Sequence, residues 1–260
     1  MAHPKVVCLT GAGSRSGHAW EVLDGVVRYL SVAGGYDRSD FVEASYRVGQ
    51  GGEPLPYDEE DSTVPLAVAT GMVARGLEWI RRDGGARLHL LGWSLGGVVL
   101  FDAAAMLIAA DASWARDLGA IVTLSSPLLG SDVDGIDLFG ALAAGPAGSD
   151  LARRAADESE RARVRRDAAR LRAAGVRLVT LAAEDDVVVT PADALLPGEG
   201  PEGSAFVLHP RRRLGAPYLE SVLGHGALPR DPLCWQRVLA ALGPAASATG
   251  PRSEPTRRSE

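Results

Sequence analysis

Short apolar runs and longer amphipathic stretches alternate along most of this sequence. Apolar residues recur every three or four positions in the longer stretches, a spacing that predicts helices at His18–Leu30, Val64–Arg81, Leu95–Ala110, Leu151–Ala174 and Gly226–Leu242. The short runs predict buried strands at Lys5–Leu9, Val42–Val48, Arg87–Gly92, Ala120–Leu124, Val176–Leu181 and Ala205–Leu208. Strands that alternate with helices are typical of parallel sheets. The pattern therefore predicts an α/β fold with a mostly parallel six-stranded sheet flanked by helices.

Three stretches fall outside this alternation. Residues 49–61 are rich in Gly, Pro and acidic side chains and predict a surface loop. Residues 128–150 follow the fourth predicted strand and mix Leu, Ile and Phe with Gly, so they could form a small cap over a pocket. Residues 245–260 lack apolar periodicity and predict a disordered tail. We therefore expect one domain over residues 1–244.

Composition and charge narrow the function classes. The 260 residues are 46% hydrophobic and carry a formal net charge of −6, which suits a globular protein and argues against nucleic acid as a partner. Cys8 and Cys234 lie in apolar runs and are expected to be buried thiols. Without a recognisable secretion signal or an apolar run of the ~18 residues that span a bilayer, we expect a cytoplasmic protein with no stable membrane insertion.

The segment GWSLGG, residues 92–97, places Ser94 between two glycines in the pattern G-x-S-x-G. The pattern alone is weak evidence for a catalytic serine in a chain with 31 glycines, but a predicted strand precedes it and a predicted helix follows it. That strand–turn–helix setting is the one in which such a serine is exposed at the sheet edge as a nucleophile. Ser94 is therefore the candidate nucleophile.

A serine hydroxyl needs a base to accept its proton, and histidine is the usual one. Among five histidines, His225 lies in the glycine-flanked loop LGHGALPRDP, between the last predicted strand and the last predicted helix. We expect His225 to be the base, with His209 as the alternative.

The base in turn needs a carboxylate that orients it. The run AAEDDVVV follows the fifth predicted strand, and Asp185 is preferred because it comes close to the strand end. Asp186 and Glu184 stay open as alternatives.

The order Ser94, Asp185, His225, together with the GWSLGG turn, resembles the α/β-hydrolase superfamily and within it the lipase/esterase-like members. The resemblance extends from Lys5 to about Leu242 and includes the segment TLSSPLLGSD after the fourth strand. It implies an oxyanion hole made by the backbone amides of Leu95 and Ala12. The loop after the first strand begins with Thr10-Gly11, where family members commonly have His-Gly. The first predicted strand corresponds to the third strand of the larger family fold, so we expect a compact six-stranded version of it.

The resemblance implies hydrolysis of a small-molecule carboxylic ester through an acyl-enzyme, with no metal and no organic cofactor. Thioester hydrolysis and a non-catalytic binding protein on the same scaffold are the alternatives. Dinucleotide binding by the glycines of GAGSRSG is disfavoured, because their spacing differs from the G-x-G-x-x-G pattern and Lys5 is the only lysine in the chain. The sequence gives no indication of the oligomeric state.

Overall fold

A wholly parallel six-stranded sheet forms the centre of the computed structural model, which describes residues 4–84, 87–111, 113–131, 145–198, 205–210 and 224–243. The predicted tail, 245–260, and residues 132–144 of the candidate cap lie outside these ranges. The strands are β1 Lys5–Leu9, β2 Phe41–Glu43, β3 Leu88–Trp93, β4 Leu118–Leu124, β5 Arg177–Ala183 and β6 Ala205–Leu208. Their order across the sheet is β2-β1-β3-β4-β5-β6. The predicted fold class is confirmed.

The second strand is shorter than the sequence pattern predicts. It ends at Glu43 rather than Val48, and Val48 instead forms an isolated antiparallel bridge with Pro54. The side chain of Tyr46 is buried, and its hydroxyl donates a hydrogen bond to the carbonyl oxygen of Thr10 at 2.6 Å. The apolar residues after Glu43 therefore cover the loop that follows β1 instead of extending the sheet.

Helices cover both faces of the sheet. The described helices are α1 His18–Val22, α2 Asp24–Gly34, α3 Leu66–Gly84, α4 Leu95–Ala110, α5 Trp114–Asp117, α6 Pro146–Ala156, α7 Glu158–Ala173, α8 Pro191–Ala194 and α9 Pro232–Leu242. One apolar cluster packs α3, α4 and α7 on one face, and a second packs α1, α2 and α9 on the other. Because side chains alternate along a strand, Val7 and Leu9 belong to the first cluster while Val6 and Cys8 belong to the second.

Capping aspartates change the bounds of two predicted helices. The stretch 151–174 breaks at Asp157, whose side chain accepts a hydrogen bond from the backbone N–H of Ser159 and begins α7. The last helix begins at Pro232 rather than Gly226, because Asp231 caps it by accepting from the N–H of Leu233. The predicted first helix also breaks, at Leu23.

The strand order changes direction at β1, which pairs with β2 on one side and β3 on the other. In a parallel sheet, the loops that leave two such strands diverge and open a crevice at their carboxyl ends. The loop after β1 and the turn at Ser94 after β3 border this crevice. The fold therefore places Ser94 where ligands bind in open α/β sheets.

Candidate active site

Ser94 occupies a strained turn between β3 and α4. Its backbone has φ 56° and ψ −135°, outside the conformations that non-glycine residues ordinarily adopt. The turn is held because the N–H of Ser94 donates to the carbonyl oxygen of Leu124 at 2.9 Å. It is also held because α4 packs tightly on β1, where a Cβ on Gly96 would collide with the carbonyl oxygens of Leu9 and Thr10. The predicted strand–turn–helix setting of Ser94 is therefore present.

His225 lies against Ser94, with 2.9 Å between its Nε2 and the Ser94 Oγ. The imidazole is 13% exposed, so it is shielded from water without being sealed off. Gly224 precedes it with φ +73°, and a Cβ there would lie 2.5 Å from the carbonyl oxygen of Asp185. Glycine is thus needed both for the backbone conformation and for the close approach that brings the imidazole over the sheet edge.

Asp186 contacts His225 and takes the place that the sequence analysis assigned to Asp185. Its Oδ2 lies 2.9 Å from the Nδ1 of His225, and its side chain is fully buried. Its Oδ1 accepts hydrogen bonds from the backbone N–H groups of Val188 and Val189 at 2.9 and 3.0 Å. The carboxylate is therefore fixed at both oxygens.

The preference for Asp185 was wrong because it relied on a strand that ended at Leu181. The strand β5 continues to Ala183, and a turn follows in which Asp185 is half buried and Asp186 is buried. Because adjacent residues of an extended chain point in opposite directions, a small error in the strand end changes which carboxylate faces the site. Glu184 and His209 are both more than half exposed, and they contact each other.

The loop after β1 crosses directly beside Ser94. A Cβ on Gly11 would lie 2.7 Å from the Cβ of Ser94, 2.9 Å from its Oγ and 3.5 Å from the backbone nitrogen of Leu95. As the first residue of α4, Leu95 has an N–H with no acceptor inside the helix. Leu95 and the loop are thus adjacent to the hydroxyl, while the roles of the Leu95 and Ala12 amides in an oxyanion hole stay predictions.

Tyr46 and Tyr57 both form hydrogen bonds with the loop that follows β1. Their rings meet edge to face at 5.3 Å. Burial raises the pKa of Tyr57 to about 12 and also raises that of Tyr46 above its ordinary value. Both phenols are therefore protonated at neutral pH, and Tyr46 serves as a hydrogen-bond donor to the carbonyl oxygen of Thr10.

Trp93 holds the loop that carries His225. Its indole Nε1 donates to the backbone carbonyl oxygen of His225 at 3.2 Å, and the two rings are tilted by 36° with centroids 5.1 Å apart. The position of Trp93 beside the nucleophile was visible in the sequence, but a contact with a residue 132 positions away was not.

The candidate cap is described only at its two ends. Leu128 is buried in the apolar cluster beneath α4, and Leu129 packs against the same cluster. The apolar residues between 132 and 144 that could line an acyl pocket lie outside the described residues. None of the helices that the structure describes is long and apolar enough to cross a membrane.

Comparison with known proteins supports the fold. No protein-family model and no curated protein sequence matches this chain. Among solved structures, the mature lipase BlEst2 from Bacillus licheniformis is similar with a TM-score of 0.53 at 17% identity, over 80% of this chain and 82% of that protein. Lipase B from Aspergillus fumigatus has a TM-score of 0.54 at 18% identity, over 94% and 54%, and the metagenomic carboxyl esterase MGS0156 has 0.52 at 17%, over 93% and 75%. This chain thus spans about half the length of the fungal lipase.

The sheet order, the strained serine turn and these similarities define an α/β-hydrolase fold. The three solved structures named above are lipases and esterases, and this chain shares their fold. The resemblance inferred from the GWSLGG turn and the order of the candidate residues is confirmed at the level of the fold.

Proposed function

We propose that this protein is a serine hydrolase that cleaves carboxylic esters through an acyl-enzyme on Ser94. The observation that carries the proposal is the continuous chain of contacts from the Ser94 Oγ through His225 to Asp186, each 2.9 Å long. This arrangement allows a serine hydroxyl to lose its proton to an imidazole as it attacks a carbonyl carbon. The proposed substrate partner is a small-molecule ester, and the proposed location, taken from the sequence alone, is the cytoplasm.

The proposed first step is attack of the Ser94 Oγ on the ester carbonyl. His225 accepts the hydroxyl proton at Nε2, while Asp186 stabilises the resulting imidazolium through Nδ1. The negative charge that develops on the carbonyl oxygen is stabilised by the backbone N–H of Leu95 and by an amide of the loop after β1, for which Ala12 is the candidate. When the tetrahedral intermediate collapses, the C–O bond to the leaving alkoxide breaks and His225 returns the proton to it.

The second step reverses these roles with water in place of the alcohol. His225 removes a proton from the water as its oxygen attacks the acyl carbon, and then donates that proton to the Ser94 Oγ as the acid leaves. These steps use only side chains and backbone amides that the fold brings together. They require no metal and no organic cofactor.

The test is hydrolysis of p-nitrophenyl esters with short, medium and long acyl chains, together with thioesters of the same acids. Wild type is compared with Ser94→Ala and with the matched control Ser39→Ala, whose side chain is exposed outside the site. A fluorophosphonate probe followed by mass spectrometry identifies the labelled residue. We expect turnover and labelling in wild type and the control, and neither in Ser94→Ala.

A wild type that binds no probe and hydrolyses none of these compounds overturns the proposal and favours a binding protein on the same scaffold. Turnover of thioesters alone replaces the ester assignment while keeping Ser94 as nucleophile. Turnover that survives in Ser94→Ala rejects Ser94.

A further inference from the structure

A polar cavity of about 370 Å³ lies at the opposite edge of the sheet from Ser94. It is bordered by the beginnings of β3, β4 and β5 and by the end of α9. His89 lines it and lies on β3, five residues before Ser94 in the turn that follows this strand, which corresponds to about 16 Å along an extended chain. A ligand in this cavity therefore cannot contact the candidate nucleophile.

Positive charge dominates the walls of this cavity. Three arginines line it, Arg87, Arg172 and Arg177, and no aspartate or glutamate is among the described residues that do so. Several guanidinium groups in a concave, partly desolvated site favour an anionic ligand. The net charge of the whole chain is −6, so this local excess of positive charge is not a general property of the surface.

His89 is an unusual residue for the interior of a parallel strand. It is only 6% exposed, and its Nδ1 has no hydrogen-bond partner among the described residues. Burial, followed by the nearby charges of Arg87 and Arg177, lowers its pKa from 6.5 to about 4. A buried polar atom without a partner is costly in a folded protein, so the wall of this cavity holds an imidazole at a cost in stability.

Two of the side chains that line the cavity, those of His89 and Arg87, pack closely against Gly119. A Cβ on Gly119 would lie 2.4 Å from the Cε1 and 2.6 Å from the Nδ1 of His89, and 3.1 Å from the Nε of Arg87. The pairing of β3 with β4 shifts register at this point, between Leu88 and Leu90, as bulges do where a strand redirects a side chain. The absence of a side chain on residue 119 thus allows the imidazole of His89 and the side chain of Arg87 to pack against β4 at the wall of the cavity.

The arginines are already held in position by backbone carbonyls. Arg87 donates to the carbonyl oxygen of Leu118 at 3.3 Å, and Arg177 donates to those of Ala240 and Ala241 at 3.0 Å. Arg172 donates to the carbonyl oxygen of Leu196 at 2.6 Å. A ligand therefore meets guanidinium groups that are partly ordered before it binds, which reduces the entropy lost on binding.

We propose that this cavity binds a phosphate group, either as inorganic phosphate or as the phosphate of a small monoester. A doubly charged tetrahedral oxyanion has enough oxygen atoms to accept hydrogen bonds from several guanidinium groups at once. A single carboxylate has two oxygens and one charge, so it matches this set of donors less well. The proposal does not depend on the chemistry assigned to Ser94.

Isothermal titration calorimetry at constant ionic strength tests the proposal, with inorganic phosphate in one arm and glycerol phosphate in the other. The variants are Arg87→Gln, which removes one lining charge, and Gly119→Ala, which places a methyl group between the two nitrogens. Arg28→Gln is the matched control, because this exposed arginine on α2 does not line the cavity. Ser94→Ala tests independence from the candidate active site.

We expect saturable binding by wild type, Arg28→Gln and Ser94→Ala, and at least about tenfold weaker binding by the two cavity variants. Binding of inorganic phosphate identifies the free ion as sufficient, whereas binding of the monoester alone assigns the site to a phosphorylated small molecule. Absence of binding in both arms, or equal binding by wild type and the cavity variants, overturns the proposal.

A measurement on wild type keeps the test valid if a cavity variant fails to fold. In protein labelled with ¹⁵N-histidine, the ring nitrogen signals of His89 should shift in a saturable way as phosphate is added, because the positive charge of Arg87 and Arg177 beside the ring is compensated. The signals are assigned with a His89→Gln variant. A titration in which other histidines respond and His89 does not rejects the site.

Discussion

Replacement of Asp186 by asparagine tests the candidate catalytic geometry most directly. The Oδ1 of Asp186 accepts from two backbone N–H groups, so the carbonyl oxygen of an asparagine would keep that position and its NH₂ group would face His225. The NH₂ group donates hydrogen bonds, and the Nδ1 of His225 would have to accept one. The imidazole would then carry its proton on Nε2, where it could no longer accept the proton of Ser94.

The size of the effect follows from this change of tautomer. In a serine–histidine–aspartate triad, the same substitution lowers kcat by roughly 10⁴, or about 5 kcal/mol of transition-state stabilisation. Asp185→Asn is the matched control, since it changes the neighbouring carboxylate in the same turn. Its rate should stay within about threefold of wild type, because the structure places Asp186 on His225.

The assay is the initial rate of p-nitrophenyl ester hydrolysis, with thermal unfolding of each variant to verify that it is folded. A folded Asp186→Asn protein that keeps more than a tenth of the wild-type kcat would refute the reasoning. A large loss in Asp185→Asn with none in Asp186→Asn would restore the assignment made from the sequence.

Three further substitutions test other contacts. Trp93→Phe keeps an aromatic ring beside His225 but removes the indole hydrogen bond to its carbonyl oxygen, so kcat should fall about fivefold with KM unchanged, and a rise in KM alone would contradict a positioning role. Arg154→Met removes the partner of the buried Asp102 carboxylate at 2.5 Å and leaves it only Arg163 at 3.8 Å, so it should destabilise the fold by about 3 kcal/mol in denaturant titrations, which Asp102→Leu in the same chain should largely reverse. Because the pKa of His89 is lowered to about 4 in the folded state, it should contribute about 3 kcal/mol of stability at neutral pH that is lost as pH falls from 6.5 towards 4. The stability of His89→Gln in phosphate-free buffer should depend less on pH over that window, and an unchanged dependence would contradict this assignment.

The parts of the fold that depend on local pattern were predictable. The boundaries of α4 at Leu95 and Ala110 follow from a helix that begins directly after the serine turn and is apolar on all sides. The strands β1 and β6 also have their predicted bounds. In these cases the signal is contained within a few neighbouring residues.

The errors arose where a contact distant in sequence decides the outcome. Val48 continues an alternation of apolar and polar residues, yet it leaves the sheet because Tyr46 packs onto the loop after β1. Asp185 and Asp186 have nearly the same sequence context, and their distinction depends on how far β5 extends and on where Gly224 approaches it. Neither the end of a strand nor the approach of a distant loop is encoded in hydrophobic periodicity.

The strand β3 carries both the candidate nucleophile turn and His89, and its surroundings indicate that the two sites act independently. It pairs with β1 on one side and β4 on the other, and every residue from Leu88 to Leu91 is buried. Coupling between distant sites requires an element with two arrangements of similar free energy. A strand bonded along both edges and packed on both faces has one well-determined arrangement, so a ligand at His89 should stabilise the folded chain without altering the geometry at Ser94.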